Sequence, residues 1–205
     1  EANGKHVLQE SCIVNHLIRI GALPPSAEKE EEEGKKSVIA IELGAGTAKL
    51  SERIQRLYHW KDKKSKSNHE SSNKVRIQHV LIDRQIIKKC RDNIMKARYR
   101  HSSAQGKDED ENVVRIVGDI ASLDFTPYLT TTTTTTTTTS YNGSRCICFS
   151  KHLCGPACDL AFSSLRRAVF PTTTTIHPNN IQLPPIVIAT CCHYLCTWST
   201  FSQAS

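Results

Sequence analysis

The sequence predicts an α/β fold in which a parallel β-sheet is covered by helices on both faces. Short apolar runs typical of strands alternate with segments of helical periodicity, an alternation that produces right-handed crossovers between parallel strands. The first three strand-like runs also end in acidic residues, which are Glu42, Asp83 and Asp119. Because ligands of such sheets bind beyond the carboxyl ends of the strands, these residues predict a binding site at that edge.

The chain opens with a helical pattern over residues 7–20. Gly21 follows it, at the position where helices commonly end in glycine. Pro24 and Pro25 prevent the helix from continuing. The acidic stretch 28–34 is then predicted to be a solvated loop before the first strand.

The first strand-like run leads into a glycine-rich turn within residues 38–51. Gly44 and Gly46 allow a sharp bend and a close approach to a ligand, because neither carries a Cβ. The order Glu-x-Gly-x-Gly-x-Ala, starting at Glu42, differs from the Gly-x-Gly-x-x-Gly of dinucleotide-binding proteins. It resembles the first motif of the Rossmann-like class I S-adenosylmethionine-dependent methyltransferases. A tight strand-to-helix turn without a ligand is the alternative interpretation.

The second and third strands, predicted over residues 77–82 and 113–117, are followed by Asp83 and by Asp119 with Ile120. An acidic residue after the second strand of a Rossmann-like sheet accepts hydrogen bonds from ribose hydroxyls. The methyltransferase resemblance implies that Asp119 and Ile120 lie beside the adenine of the cofactor. Each aspartate could instead be a turn former or a helix N-cap.

The remaining elements complete the alternation. After the glycine-rich turn, a helix is predicted whose apolar face comprises Leu50, Ile54, Leu57 and Tyr58. A second crossover helix is predicted from the spacing of Ile86, Ile87, Cys90, Ile94 and Met95. The fourth and fifth strands are predicted over residues 145–149 and 186–190. The expected strand order in the sheet is 3-2-1-4-5.

Residues 1–205 are predicted to form one methyltransferase domain, which is expected to be truncated after the fifth strand because class I sheets normally add two more. Low-complexity insertions at 130–140 and 172–175 are rich in threonine and are predicted to be disordered surface segments. The basic stretch 61–66 and the acidic stretch 107–111 precede strands two and three. Both are predicted to be solvated loops on the edge away from the cofactor, although the basic stretch could instead be a patch that binds nucleic acid.

The composition excludes some classes of protein. No apolar run approaches the ~20 residues that span a bilayer, and the N-terminus lacks the character of a signal peptide. The nine cysteines, an odd number, fit a reducing compartment better than a disulfide framework. An intracellular location, in the cytoplasm or nucleus, is therefore expected. The net charge of +7 is compatible with a polyanionic partner, while no protein partner can be inferred.

The segment 150–160 follows the predicted fourth strand and carries Lys151, His152 and Asp159. In class I methyltransferases, the carboxyl end of this strand borders the transferable methyl group, so catalytic side chains are expected there. Gly155 and Pro156 are predicted to start a helix, since proline is tolerated at the first helical position. The N-terminus of that helix would favour a phosphate group.

Segment 150–160, together with residues 190–198, closely resembles a eukaryotic tRNA methyltransferase family, the tRNA:m4X modification enzymes. Residues 5–10 and the glycine-rich turn fit the same family. The resemblance implies methyl transfer from S-adenosylmethionine to the ribose 2′-hydroxyl of nucleotide four in the tRNA acceptor stem. The family usually has glycine where this chain has Ala48, and commonly histidine where it has Tyr194. Family members also carry zinc-finger modules, which this sequence does not contain.

A ribose hydroxyl is a poor nucleophile, so a base or an oriented cation should assist it. Lys151 is the first candidate, as a base in a partly buried site or as a ligand of a phosphate. His152 could act as a base, donate to the substrate, or be structural. Asp159 could orient Lys151 or cap the helix.

Two other functions are possible. Structural zinc could be bound by the soft ligands Cys154, Cys158, Cys191, Cys192, His193 and Cys196. Their spacing lacks the paired Cys-x-x-Cys pattern of strong zinc motifs, and free cysteines pack well as small apolar residues, so no metal ligand is assigned. The chain could also bind RNA or cofactor without catalysing a reaction.

Overall fold

The computed structural model describes residues 2–24, 37–65, 75–100, 112–129, 145–170 and 183–190. Strands and helices alternate along the described chain. The strands are β1 Ser37–Leu43, β2 Arg76–Asp83, β3 Val113–Val117, β4 Arg145–Ser150 and β5 Ile186–Ile188. The helices are α1 Ala2–Arg19, α2 Lys49–Ser65, α3 Asp92–Arg100, α4 Thr126–Leu129 and α5 Ala157–Val169, with a 3₁₀ turn at Ile120–Ser122.

The five strands form one parallel sheet in the order β3-β2-β1-β4-β5. This confirms the predicted α/β architecture and strand order. Leu43 at the end of β1 pairs with Ile82 of β2, and Asp83 pairs with Val117 at the end of β3. The carboxyl ends of the first three strands therefore meet at one edge of the sheet, as a ligand site in this architecture requires.

The sheet is buried on both faces. Ile39, Ile41 and Leu43 of β1 belong to the core formed with α5, whereas Val38 and Ala40 belong to the core formed with α1 and α2. Successive side chains of a strand point to opposite faces, so β1 must be apolar at nearly every position. Its short apolar run is the physical basis of the correct prediction.

Helix α1 begins at Ala2, five residues before the predicted start, and ends at Arg19. Gly21 has a φ of 70°, and the amides of Ala22 and Leu23 both donate to the carbonyl of Leu17. This left-handed glycine ends the helix as predicted.

Two further predicted boundaries, the end of α2 and the start of α3, are wrong. Helix α2 continues to Ser65, so most of the basic stretch 61–66 is helical rather than a loop. Helix α3 begins only at Asp92, and Ile86 is 81% exposed before it. The amide of Gln85 donates to Asp83 Oδ1, and such local side-chain bonding to the backbone competes with helix formation.

The acidic stretches 28–34 and 107–111, the insertions at 130–140 and 172–175, and residues 191–205 lie outside the described residues. Within the described part of the chain, no helix is both long and apolar enough to cross a membrane.

Candidate functional site

A cleft with a volume of about 380 Å³ lies at the carboxyl edge of the sheet. It is formed by the segments that follow β1, β2, β3 and β4. Its lining residues are Gly44, Ile82, Asp83, Arg84, Gly118, Asp119, Ile120, His152, Leu153, Cys154, Pro156, Ala157 and Leu160. Of the predicted site residues, Gly44, Asp83, Asp119, Ile120 and His152 are in this set. Glu42, Gly46, Lys151 and Asp159 are described but do not line the cleft.

The glycine-rich turn contributes Gly44 to the lining of the cleft. Gly44 and Gly46 have φ values of 65° and 50°, and Ala48 has a φ of 60°. A Cβ at Gly44 would lie 3.7 Å from the carbonyl oxygen of His152 and from Leu153 Cδ1, which is ordinary contact. The turn therefore selects glycine at this position for its left-handed backbone rather than for lack of space.

Glu42, two residues before Gly44, is buried, with 3% of its surface exposed. Its Oε2 accepts a hydrogen bond of 3.1 Å from the amide of Ser51 in the first turn of α2. Burial raises the pKa of Glu42 to about 7, against the opposing effect of the bonds from Ser51. This carboxyl group thus connects β1 to α2 and stabilises the turn between them.

The two aspartates at the cleft have backbone partners. Asp83 Oδ2 accepts from the amide of Gly46 at 2.7 Å, so its side chain fixes the glycine-rich turn as well as facing the cleft. Asp119 Oδ1 accepts from the amide of Ala121 at 2.9 Å and caps the 3₁₀ turn. A carboxylate has about four acceptor positions. Both groups therefore retain capacity to accept hydrogen bonds from a ligand.

Lys151 is directed to α1 instead of the cleft. Its Nζ lies 2.7 Å from Glu10 Oε1, and Glu10 Oε2 lies 3.0 Å from Arg53 Nε of α2. Burial alone would raise the pKa of Glu10, but the hydrogen bonds and charges of Lys151 and Arg53 outweigh it and hold that pKa below its ordinary value. The Lys151 ammonium group is thus part of a partly buried ion-pair cluster.

His152, the next residue, lines the cleft. Its ring meets that of His6 edge to face, with centroids 6.1 Å apart and an interplanar angle of 80°. Burial and the positive charges of Lys151 and His6 lower the pKa of His152 from its ordinary value. The imidazole is therefore mainly neutral at neutral pH and able to accept a proton.

The N-terminal end of α5 also contributes to the lining of the cleft. Pro156 occupies the N-cap, one position before the predicted place, and lines the cleft together with Ala157 and Leu160. Asp159 lies in the first turn of α5. Cys158 donates its thiol to the carbonyl of Leu153 at 2.9 Å, which helps to fold the loop back onto the helix.

No group of three or more histidine, cysteine or acidic side chains among the described residues could hold a metal ion. Neither Cys154 nor Cys158 forms a disulfide bond with another described residue. The other predicted zinc ligands lie outside the described residues, so the zinc interpretation is not supported by this part of the chain.

Three residues beside the site, Glu10, Arg53 and His6, were not predicted from the sequence. A signal was present for Glu10, which is followed by Ile13, Val14 and Leu17 on the same apolar face of α1. An acidic residue on a buried helical face requires a partner. Its two cations, Arg53 and Lys151, are however 43 and 141 positions away in the chain.

The family model described as Methyltransferase TRM13 matches residues 8–205. The chain is 26% identical over 209 residues to the tRNA:m(4)X modification enzyme TRM13 of Saccharomyces cerevisiae, covering 100% of this chain and 40% of that protein. It is 27% identical over 204 residues to the corresponding homolog of Dictyostelium discoideum, covering 98% of this chain and 30% of that protein.

The chain thus spans two fifths or less of the length of these curated relatives. No solved structure matches it significantly. The family match extends over nearly the whole sequence and confirms the resemblance seen in residues 150–160. The chain belongs to the TRM13 methyltransferase family.

Proposed function

We propose that this chain is the methyltransferase domain of a tRNA modification enzyme. The reaction is methyl transfer from S-adenosylmethionine to a ribose 2′-hydroxyl at nucleotide four of the acceptor stem, in the cytoplasm or nucleus. The observation that carries the proposal is the cleft at the carboxyl edge of the sheet, which Asp83, Asp119 and His152 line together. The relatives are named tRNA:m(4)X modification enzymes, which supports tRNA as the substrate.

The cleft suits S-adenosylmethionine in size and chemistry. A volume of about 380 Å³ lies within the range of small-molecule sites. Asp83 and Asp119 offer carboxylate oxygens for ribose hydroxyls and an adenine amine, and Ile82, Ile120 and Leu160 offer apolar surface for the base. The strand order β3-β2-β1-β4-β5 further supports a class I fold. When bound, the cofactor supplies an electrophilic methyl group on a sulfonium centre.

The chain's own task is to orient the ribose hydroxyl and to accept its proton. His152 lines the cleft, and its lowered pKa keeps the imidazole in the neutral form that accepts a proton. The N-terminal end of α5, which also lines the cleft, favours an RNA phosphate. Direct participation of Lys151 and an orienting role of Asp159 stay predictions.

The function is tested by methyl transfer from tritium-labelled S-adenosylmethionine to unmodified tRNA transcripts. Label should enter the acceptor stem at nucleotide four, and the methylated linkage should resist alkaline hydrolysis. A transcript with a 2′-deoxyribose at that position should accept no label. Label on a base, or tRNA binding without any transfer, would contradict the proposed reaction.

Replacing His152 by alanine should lower turnover roughly 10²–10⁴-fold, the usual cost of losing a general base. The matched control is His16→Ala, because His16 is an exposed histidine of α1 outside the cleft. Lys151→Ala should be measured in parallel. If Lys151 only contacts a phosphate, its loss should weaken tRNA binding and reduce the salt slope by about one contact. Wild-type turnover in His152→Ala would remove His152 from the mechanism.

A further inference from the structure

Glu10 of α1 connects three elements through one buried carboxylate. Its Oε1 pairs with Lys151 Nζ at 2.7 Å, and its Oε2 pairs with Arg53 Nε at 3.0 Å. The exposed fractions of the side chains are 4% for Glu10 and 11% for Lys151. Charged hydrogen bonds that are shielded from water are strong and directional. The carboxylate therefore fixes where the Lys151 side chain lies.

A second contact follows on the same face of α1. His6 precedes Glu10 by four positions, which is one helical turn, and its ring meets the ring of His152. Two successive residues of the loop after β4 are thus held by two positions of one helix. The carbonyl of His152 in turn lies close to Gly44 in the glycine-rich turn. Contacts consequently run from α1 through this loop to the cleft.

We propose that Glu10 is a positioning residue of the methyl-transfer reaction. It does not line the cleft; it holds Lys151 and thereby sets the position of His152 toward the substrate. The inference rests on the proposed function. Through Glu10, helix α1 would position the loop after β4 for the reaction. The glycine-rich turn and the aspartates of the cleft do not have this role.

The test compares Glu10→Gln with Glu52→Gln in methyl transfer. Glu52 is a similarly buried glutamate that pairs with two arginines, Arg91 and Arg98, just before and within α3. Glu10→Gln should lower kcat about 10- to 100-fold, the scale of a small misplacement at a reacting centre. The KM for S-adenosylmethionine should stay near its wild-type value. Glu52→Gln should change kcat less than twofold.

A purely structural role predicts a different outcome, in which both variants lose thermal stability and neither loses kcat at a temperature where both are folded. That result would overturn the proposal. Lys151→Met provides a second route if Glu10→Gln does not fold. If Glu10 acts through Lys151, the double variant that carries both Glu10→Gln and Lys151→Met should lose no more kcat than the Lys151→Met single variant. Additive losses would contradict the coupling.

A readout independent of activity separates this proposal from the proposed function. The NMR titration of the His152 ring should shift in Glu10→Gln and stay unchanged in Glu52→Gln. If the wild-type chain transfers no methyl group, the proposed function fails, and a His152 signal that is unchanged in Glu10→Gln would still overturn the positioning role. If the wild type is active and Glu10→Gln matches its kcat, only the positioning role fails.

Discussion

At the residue scale, Ala48 adopts a backbone conformation that alanine normally avoids. Its φ of 60° lies in the left-handed region, and its side chain is fully buried beside Leu81 and Met95. The left-handed conformation costs an L-residue roughly 1–2 kcal/mol. The turn nevertheless forms, because Ala48 donates to the carbonyl of Ala45 and accepts from the amide of Glu52.

Ala48→Gly should therefore leave the free energy of unfolding within about 0.5 kcal/mol of the wild-type value, since the relief of strain offsets both the lost burial of the methyl group and the entropy that glycine adds to the unfolded chain. The control is Ala45→Gly, a buried alanine of the same turn whose φ is not positive. That variant should be destabilised by about 0.5–1 kcal/mol. Urea unfolding measures both changes, and a loss of stability in both variants would contradict strain at Ala48.

His79 is the second unusual residue. It is fully buried in β2, and neither ring nitrogen has a hydrogen-bond partner among the described residues. Burial lowers the pKa of His79 to about 3. The ring is therefore neutral in the folded protein at neutral pH.

Between pH 6.5 and about 3 the unfolded chain binds a proton at His79 that the folded chain does not. Stability should therefore fall with decreasing pH by about 1.4 kcal/mol per unit from this group. Glu42 has the opposite effect on stability. Because burial raises its pKa to about 7, its contribution to stability is present below pH 4.5 and is lost as the pH rises from 4.5 to about 7. His79→Leu should flatten the acid side of the stability curve, while His16→Leu should not. Parallel curves of stability against pH for wild type and His79→Leu would show that His79 does not cause the loss of stability in acid.

At the scale of elements, α5 is bound to the corner of the cleft that follows β3. Ser164 is buried, and its hydroxyl lies 2.6 Å from the carbonyl of Ile120 and 3.2 Å from that of Ala121. Arg167 of the same helix also donates to Ala121 and to Ser164. These contacts fix the 3₁₀ turn that carries Asp119 at its cap.

Ser164→Ala should lower the free energy of unfolding by about 1–2 kcal/mol, because buried acceptors lose their donor. Ser163→Ala, the neighbouring and less buried position, should cost less than about 0.5 kcal/mol. Chemical denaturation compares the two variants. Equal small losses would show that the hydroxyl of Ser164 does not hold the 3₁₀ turn.

At the scale of the whole molecule, the architecture could be read from the sequence because each strand is a short apolar run, and the first three of these runs end at a glycine or an acidic residue. Val113–Val117 was predicted without error for this reason. The boundaries of α2 and α3 could not be read from the sequence in this way. The start of α3, for example, follows a segment in which the amide of Gln85 bonds to the side chain of Asp83.

The candidate site, too, could be predicted from the sequence only in part. The residues near strand ends reach the cleft, because parallel strands bring those ends together. The direction of the Lys151 side chain could not be predicted, since it is set by Glu10, which is far away in sequence. A residue's place in a motif therefore indicates the loop it belongs to but not the partner its side chain meets.

The account depends on whether S-adenosylmethionine occupies this cleft, and isothermal titration calorimetry of the wild-type chain with two aspartate variants tests it most directly. Asp119 and Asp124 are both exposed and each accepts a hydrogen bond from a backbone amide at the start of a short helix, but only Asp119 lines the cleft. Asp119→Ala should weaken binding by roughly 1–3 kcal/mol, the cost of losing a charged hydrogen bond, while Asp124→Ala should leave the Kd unchanged. Equal affinity in all three proteins, or no binding by the wild type, would contradict the account.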